Sequence, residues 1–383
     1  MAITQTEMRL LQRVLESPTV PFREEAVAAV VAEWAASHGV AIRRDRWGNV
    51  VLDWPGEKAV PCRGVGRRRS AGRTAWCLAA HMDHPGFVLR RMKDRTAWAD
   101  FLGSVRQEYF VGGRVAFFGD GKRIGRGVVT KCWPAEEGKS EAKPAEFPRV
   151  EIALADAAAL PVGAIGMWDF PAMRVRGETL SSRACDDLVG CAAVMCAMGR
   201  IVASRPAHRV LAVFARAEEV GFVGAMAACE AGTIPEGSLV ISVETSKAQP
   251  AAALGDGAVV RVGDASRTFD PAVTAMMSTT AAALAKEDAE FRYSRQLMPG
   301  GTCEATAYQA WGLRTGGLCL PLANYHNMGP ARRVASERIN LRDFDAAVKL
   351  LTAVAQQPPD TSANEARLKQ RLDALLARRR QWL

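Results

Sequence analysis

Four short apolar runs set the strongest limit on the fold of this chain. TAWCLAA (74–80), HRVLAVFARA (208–217), SLVISVE (238–244) and RTGGLCLPLA (314–323) are almost continuous in small and branched apolar residues. They lack the in–out alternation of a strand with one wet face. Such strands are covered on both sides and belong to a parallel or mixed sheet between helices. Helical patterns surround them. Helices are expected over Gln5–Glu16, Glu24–His38 and Asp187–Ala203, and along FDAAVKLLTAVAQQ (344–357). NEARLKQRLDALLARRR (364–380) reads as a charged terminal helix, and DRWGNVVLDW (45–54) as a strand that follows a Gly48-Asn49 turn.

The stretch 90–176 breaks this pattern. VGGRVAFFGDGKRIGRGVV (111–129) places a Gly-Asp-Gly turn between two β-like runs. VEIALAD (150–156) and AIGMWDF (164–170) add strand candidates, EEGKSEAKPAEFP (136–148) reads as a polar loop, and no strong helix is visible. The expected architecture is α/β, a mixed sheet sandwiched by helices, with an inserted small β-barrel-like domain. Residues 1–89 and 177–383 form the α/β domain and 90–176 the insert. A length of 383 residues suits two domains better than one.

Composition narrows the partners. The formal net charge is +9, but the excess is concentrated in CRGVGRRRSAGR (62–73) and LARRRQWL (376–383). Neither run interleaves aromatics as a single-strand platform does, so they read as a solvated loop and a helix end, and no nucleic-acid partner is expected. No stretch is long and apolar enough to span a bilayer, so no membrane partner is expected either. The start, MAITQTEMRLLQRVLESP, lacks the apolar core of a signal peptide. The nine cysteines show no paired spacing, and Cys77, Cys191, Cys196 and Cys319 sit in apolar context. Free thiols in a reducing, cytoplasmic setting fit better than disulfides.

The chemistry lies at the ends of the strands. His81 and Asp83 follow TAWCLAA, Glu218-Glu219 follow HRVLAVFARA, Glu244 ends SLVISVE, and His326 lies just past RTGGLCLPLA. Asp186-Asp187 stand at the predicted start of a helix. In open α/β sheets, sites form beyond the carboxyl ends of strands, so these groups aim at one crevice. Taken singly each has an ordinary reading: Asp186-Asp187 as helix capping, Glu218-Glu219 as a solvated helix start, Glu244 as a loop charge. Together they supply two imidazoles and several carboxylates, a mixed N/O set suited to zinc and related ions. Two ions about 3.5–4 Å apart need a bridging carboxylate, and a carboxylate beside them can serve as general base. The Glu218-Glu219 pair can supply one ligand and one base.

With these residues placed, the chain resembles the glutamyl and deblocking aminopeptidase family, co-catalytic metallopeptidases that form tetrahedral particles. The resemblance rests on DRWGNVV, AAHMDHPGFVL, ACDDLVGC, ARAEEVGFVGA, SVET, PGGTCEA and LANYHN, between about Leu11 and Val354. It implies a zinc-peptidase-like fold and removal of the N-terminal residue from a peptide. It implies two divalent ions per subunit, zinc first with cobalt or manganese as alternatives, and a cytoplasmic homo-oligomer built from dimers, up to a dodecamer. By motif, His81, Asp186, Glu219, Glu244 and His326 correspond to metal ligands, with Asp186 as the bridge. Glu218 corresponds to the general base and Asp83 to the carboxylate that orients His81. Thr302 and Glu304 fall at a substrate-binding motif, and the inserted β domain at an oligomerisation or lid element.

The match departs from the family at several points. His84 stands where Glu is usual, Leu188 where Arg is common, Glu244 where Asp is usual, and Cys303 where Asp follows Thr. NMGP follows His326 instead of Ser-x-x-Glu. Two other readings therefore stay open. One is a two-metal carboxypeptidase or N-acyl amidohydrolase (a deacylase), whose relatives carry an α+β insert instead of a β insert. The other is a non-catalytic binding or assembly protein on the same fold.

Overall fold

The computed structural model describes residues 3–57, 74–135, 147–155 and 159–383. The Arg-rich run 62–73 and most of the polar loop 136–148 lie outside them. Helices α1 (Gln5–Glu16) and α2 (Glu25–His38) open the chain, followed by strands β1 (Ala41–Arg44), β2 (Val50–Trp54) and β3 (Trp76–His81). Thr4 and Glu7 form a reciprocal capping box at the start of α1, and Gly39 ends α2 in a left-handed conformation.

Six strands come next: β4 (Gly86–Lys93), β5 (Thr96–Leu102), β6 (Arg114–Gly119), β7 (Lys122–Trp133), β8 (Arg149–Leu154) and β9 (Ile165–Trp168). They close into an antiparallel barrel in the order β4-β5-β8-β7-β6-β9. Closure removes the exposed edges that six short strands would otherwise present. Phe87, Phe101, Phe110, Phe117 and Trp168 fill its interior, and Phe87 meets Phe101 and Trp168 edge-on at 4.9 Å. The 3-10 turn Gln107–Tyr109 is the only helical element among the barrel's described residues.

The chain then returns to the α/β body through β10 (Arg174–Arg176), β11 (Thr179–Ser182), α3 (Leu188–Ser204), β12 (Val210–Ala215), α4 (Val223–Glu230), β13 (Leu239–Lys247), β14 (Ala258–Gly263), α5 (Pro271–Glu287), β15 (Tyr293–Leu297), α6 (Glu304–Ala310), β16 (Arg314–Leu322), β17 (Glu337–Asn340), α7 (Leu341–Ala355) and α8 (Ser362–Arg379). Eight strands form one mixed sheet in the order β1-β2-β12-β3-β13-β16-β14-β15. The central four, β12, β3, β13 and β16, run parallel. Their carboxyl ends therefore share one edge.

The four apolar runs are these central strands. β12 and β3 are buried along their whole length, as a sheet covered on both faces requires. One face packs on α3 and α7, whose buried residues join the main core; the other carries Tyr308 of α6 and Ala225 of α4. Helix α5, which the sequence reading passes over, packs Val273 and Met277 into the main core. No helix among the described residues is long and apolar enough to cross a membrane.

One glycine ties the packing to the functional edge. A Cβ on Gly224, in the first turn of α4, would stand 2.2 Å from the Arg216 carbonyl oxygen and 2.4 Å from its nitrogen. These are backbone atoms and cannot swing aside. Gly224→Ala should destabilise the protein by about 1–3 kcal/mol through overpacking, read as a lower midpoint in calorimetric unfolding. Gly300→Ala, where a Cβ meets nothing within 4 Å, should stay within about 0.5 kcal/mol of wild type.

Candidate metal centre

The carboxyl edge of the four parallel strands gathers all the residues singled out for metal chemistry. His81 is the last residue of β3 and pairs in register with Ala215, the last of β12. Glu218 and Glu219 form a 3-10 turn after β12. Glu244 lies inside β13, which runs on to Lys247 rather than ending there. His326 sits in a turn beyond β16. Asp186 precedes α3, whose N-cap is Asp187. His81, Asp83, Asp186, Asp187, Glu218, Glu219, Glu244 and His326 are all buried.

Asp186 stands between the two imidazoles. His81 Nε2 faces Asp186 Oδ1 at 3.5 Å, Glu244 Oε2 at 3.7 Å and Glu218 Oε2 at 3.8 Å. His326 Nε2 faces Glu219 Oε2 at 3.1 Å and Asp186 Oδ2 at 3.6 Å. The two Asp186 oxygens thus look into two adjoining clusters. Donor atoms of His81, Asp186 and Glu244 lie within 4.8 Å of one another, as do those of Asp186, Glu219 and His326. A third such set is His81, Glu218 and Glu219.

The hydrogen bonding fits cations in these clusters. His326 Nδ1 lies 2.7 Å from the Ser104 carbonyl, to which it donates, which leaves Nε2 as the nitrogen facing the clusters. That Nε2 has no hydrogen-bond partner, and neither does Oε1 of Glu219 or Oε1 of Glu244. Burying so many acceptors without donors is costly unless a positive ion sits among them. Burial pushes the Glu218 carboxyl well above its ordinary range, and Glu244 and Glu219 push it further against the pull of His81. Burial alone would lower the His81 imidazole, but Glu218, Asp186, Asp83 and Glu244 outweigh it and hold it well above its usual value.

The turns that carry these groups are strained and are held by other buried carboxylates. Ala217 and His326 have φ of 51° and 53°, which non-glycine residues adopt at a cost. Glu24 accepts from Ala217 N at 3.1 Å and from Arg216 Nε at 2.7 Å. Asp83 accepts from Glu218 N at 2.9 Å and Glu219 N at 3.0 Å, while His81 Nδ1 lies 3.5 Å from its Oδ1 and 3.2 Å from its carbonyl oxygen. Glu337 accepts from Cys185 N at 2.6 Å, Asp186 N at 3.1 Å and His326 N at 2.8 Å. Sequence reasoning misses both Glu24 and Glu337. Glu337 supplies the carboxylate that NMGP after His326 does not; it lies beyond a short hairpin in which Met328 bridges Val334.

Other expectations are adjusted. Asp187 does not cap α3: its side chain makes no cap bond, and both its oxygens are buried without partners. It packs over Gly190, where a Cβ would lie 2.2 Å from its carboxylate. His84, in the position usually held by Glu, joins the Asp186 carbonyl at 2.6 Å to Asn327 Oδ1 at 3.0 Å. Glu304 is buried at the start of α6, and burial, with Glu244 and Asp83 nearby, raises its carboxyl to about 8. Thr302 lines a cleft of about 270 Å³ together with Asp186, Glu218, Glu244 and Tyr325. The cleft also holds Arg261 of β14, which is buried. Arg261 donates from Nη1 to Ser246 Oγ at 3.1 Å, and its Nε is unpartnered.

Glu337→Gln places an amide donor against one of three backbone N–H groups. The loss should be about 1–3 kcal/mol of stability, the penalty for an unsatisfied buried donor. Thermal unfolding and competitive chelation should show a lower midpoint and easier loss of divalent ions. Wild-type behaviour in both would remove Glu337 from the assembly of the centre.

Comparisons with known proteins bear on the family and the fold. No curated protein sequence matches the chain. Among solved structures, an aminopeptidase from the archaeon Desulfurococcus kamchatkensis is similar, with TM-score 0.71 and 21% identity over 93% of this chain and 96% of that one. A TET aminopeptidase from a marine-sediment Thaumarchaeota archaeon gives TM-score 0.72 and 18% identity over 92% and 97%. The Pyrococcus horikoshii TET1 peptidase, which assembles into a tetrahedron or an octahedral shell, gives TM-score 0.70 and 18% identity over 91% and 99%. These likenesses show the fold, and the profile of the M42 glutamyl aminopeptidases matches residues 64–350, most of the chain. The chain therefore belongs to the M42 glutamyl aminopeptidase family of metal-dependent aminopeptidases.

Proposed function

We propose that this aminopeptidase works with two divalent ions and releases N-terminal acidic residues from peptides. The observation that carries the two-ion reading is Asp186, whose two oxygens face separate histidine-containing clusters. His81, Glu244 and Asp186 would hold one ion, and His326, Glu219 and Asp186 the other. Zinc suits the mixed imidazole and carboxylate set, and cobalt or manganese can replace it. When bound, such ions supply Lewis acidity to the scissile carbonyl and to water.

The chain's own residues do the rest. Glu218 lies against the His81 cluster without being needed to complete either ligand set. Its carboxylate lines the cleft beside Asp186 and Glu244, where an attacking water would sit, so it is placed to accept a proton. It takes a proton from the attacking water and returns it to the departing amine nitrogen. Asp83 fixes the Glu218 and Glu219 backbone and orients His81, so base and ligands keep one geometry. Arg261 is a buried guanidinium facing the cleft with no carboxylate partner among the described residues. A substrate carboxylate there would supply the missing charge, in keeping with the family's glutamyl name.

The insert is a closed β barrel rather than an α+β unit, which favours an aminopeptidase over the related carboxypeptidases and deacylases. A homo-oligomer built from dimers fits the assemblies named for the structural relatives. The free cysteines of the described residues suit a reducing, cytoplasmic setting.

Two substitutions test this reading. Glu218→Gln should retain two ions per chain by mass spectrometry and lose about 10²–10⁴-fold in kcat; full activity would take Glu218 out of proton transfer. Arg261→Met should cost about 30-fold or more in kcat/KM on a glutamyl anilide, on the scale of about 2 kcal/mol for breaking a buried charge pair. Hydrolysis of a leucyl anilide should be spared. An equal loss on both substrates would show that Arg261 supports the cleft without reading the side chain.

A further inference from the structure

A second cavity, of about 620 Å³, lies where the barrel meets the loop that follows His326. Tyr109, Arg114 and Phe170 form the barrel wall, and Arg332, Arg333 and Val334 the loop wall. Among the described residues Asp169 is the one acid lining it, and Arg123 already pairs with Asp169 at 3.1 Å. Among the described residues, the guanidinium groups of Arg114, Arg332 and Arg333 have no carboxylate within ion-pair distance. Like charges that converge on one concave surface raise its potential and draw in an anion. Planar guanidinium forks beside aromatic rings suit a carboxylate carried on an organic body.

We propose that this cavity is an oxyanion site that takes the C-terminal carboxylate of a short peptide substrate, an assignment that rests on the aminopeptidase reading above. Its position supports this. Both walls continue in the chain into the metal centre. Ser104, on the segment leading to Tyr109, accepts from His326 Nδ1; Asn327, on the segment leading to Arg332, joins His84. Tyr325 lines the Arg261 cleft. The loop therefore runs from that cleft, past His326, to the second cavity. Ser104 and Asn327 thus tie both walls, within a few residues along the chain, to the histidines of the centre. The hairpin bearing Arg332 and Arg333 stands in the segment that departs from the family pattern after His326.

The test compares a tripeptide with a free C-terminal carboxylate and its C-terminal amide. The wild type should show a KM roughly threefold to tenfold lower for the free acid, the scale of partly screened ion pairs. Arg332→Gln/Arg333→Gln should abolish that difference and leave hydrolysis of an aminoacyl anilide, which has no peptide tail, unchanged. Arg114→Gln, on the opposite wall, provides an independent variant should the double substitution fail to fold. A second arm uses inorganic phosphate at constant ionic strength. If acid and amide bind alike, but phosphate raises the unfolding midpoint of the wild type and not of the variant, the oxyanion site stands and its assignment to the peptide end is overturned. With neither effect, or with the acid preference intact in both variants, the site is overturned altogether. A wild type that cleaves no aminoacyl anilide would instead overturn the enzymatic reading beneath it.

Discussion

Buried carboxylates that accept backbone N–H bonds hold the functional edge of this protein together. Glu24, Asp83 and Glu337 are not placed to ligate both clusters themselves. Each fixes a turn that carries a residue of the centre. Glu337 joins the segment before α3 to the turn after β16 through one side chain. Glu24, from the start of α2, supports the strained Ala217, and Asp83 locks the two glutamates that follow it. Left-handed residues such as Ala217 and His326 persist only where the surroundings over-determine them, and these bonds do so.

The same burial makes the centre demand positive charge. His81 and His326 face the carboxylates of Asp186, Glu218, Glu219 and Glu244 in a buried crevice. Several of their acceptor atoms have no donor. Desolvated anions of this density are tolerated when they coordinate cations. The departures from the family pattern leave this demand unchanged. Glu244 offers the same kind of donor one methylene further out, and His84 turns its ring to the Asp186 carbonyl and Asn327. Cys303 contributes its backbone N–H and thiol to Asp264 instead of adding another acid to the cleft.

Charge also organises the surroundings of the centre. Arg261 brings one buried cation to the cleft beside Glu244, and Arg114, Arg332 and Arg333 bring three exposed ones to the cavity at the barrel junction. The barrel takes part directly, since the Ser104 carbonyl fixes the tautomer of His326. The β unit is therefore joined to the centre through this hydrogen bond, and it faces the loop that bears His326 across a shared cavity.

Much of this was legible in the sequence. The apolar runs identified the central strands because a strand buried on both faces cannot alternate. The candidate ligands were visible because β3, β12, β13 and β16 are parallel, so acids and histidines at or near their ends meet at one edge. What the sequence could not show were groups whose roles depend on distant partners. Glu337 acts on Cys185, 152 positions away. Glu24 acts on Ala217, 193 positions away. Arg261 reads as one polar residue in a short strand until the fold buries it beside the cleft. Local pattern determines which segments become buried strands and helices, because it reflects burial along one element. Only the tertiary structure decided which polar groups would face one another, because that depends on sheet order and on loops that return from far along the chain.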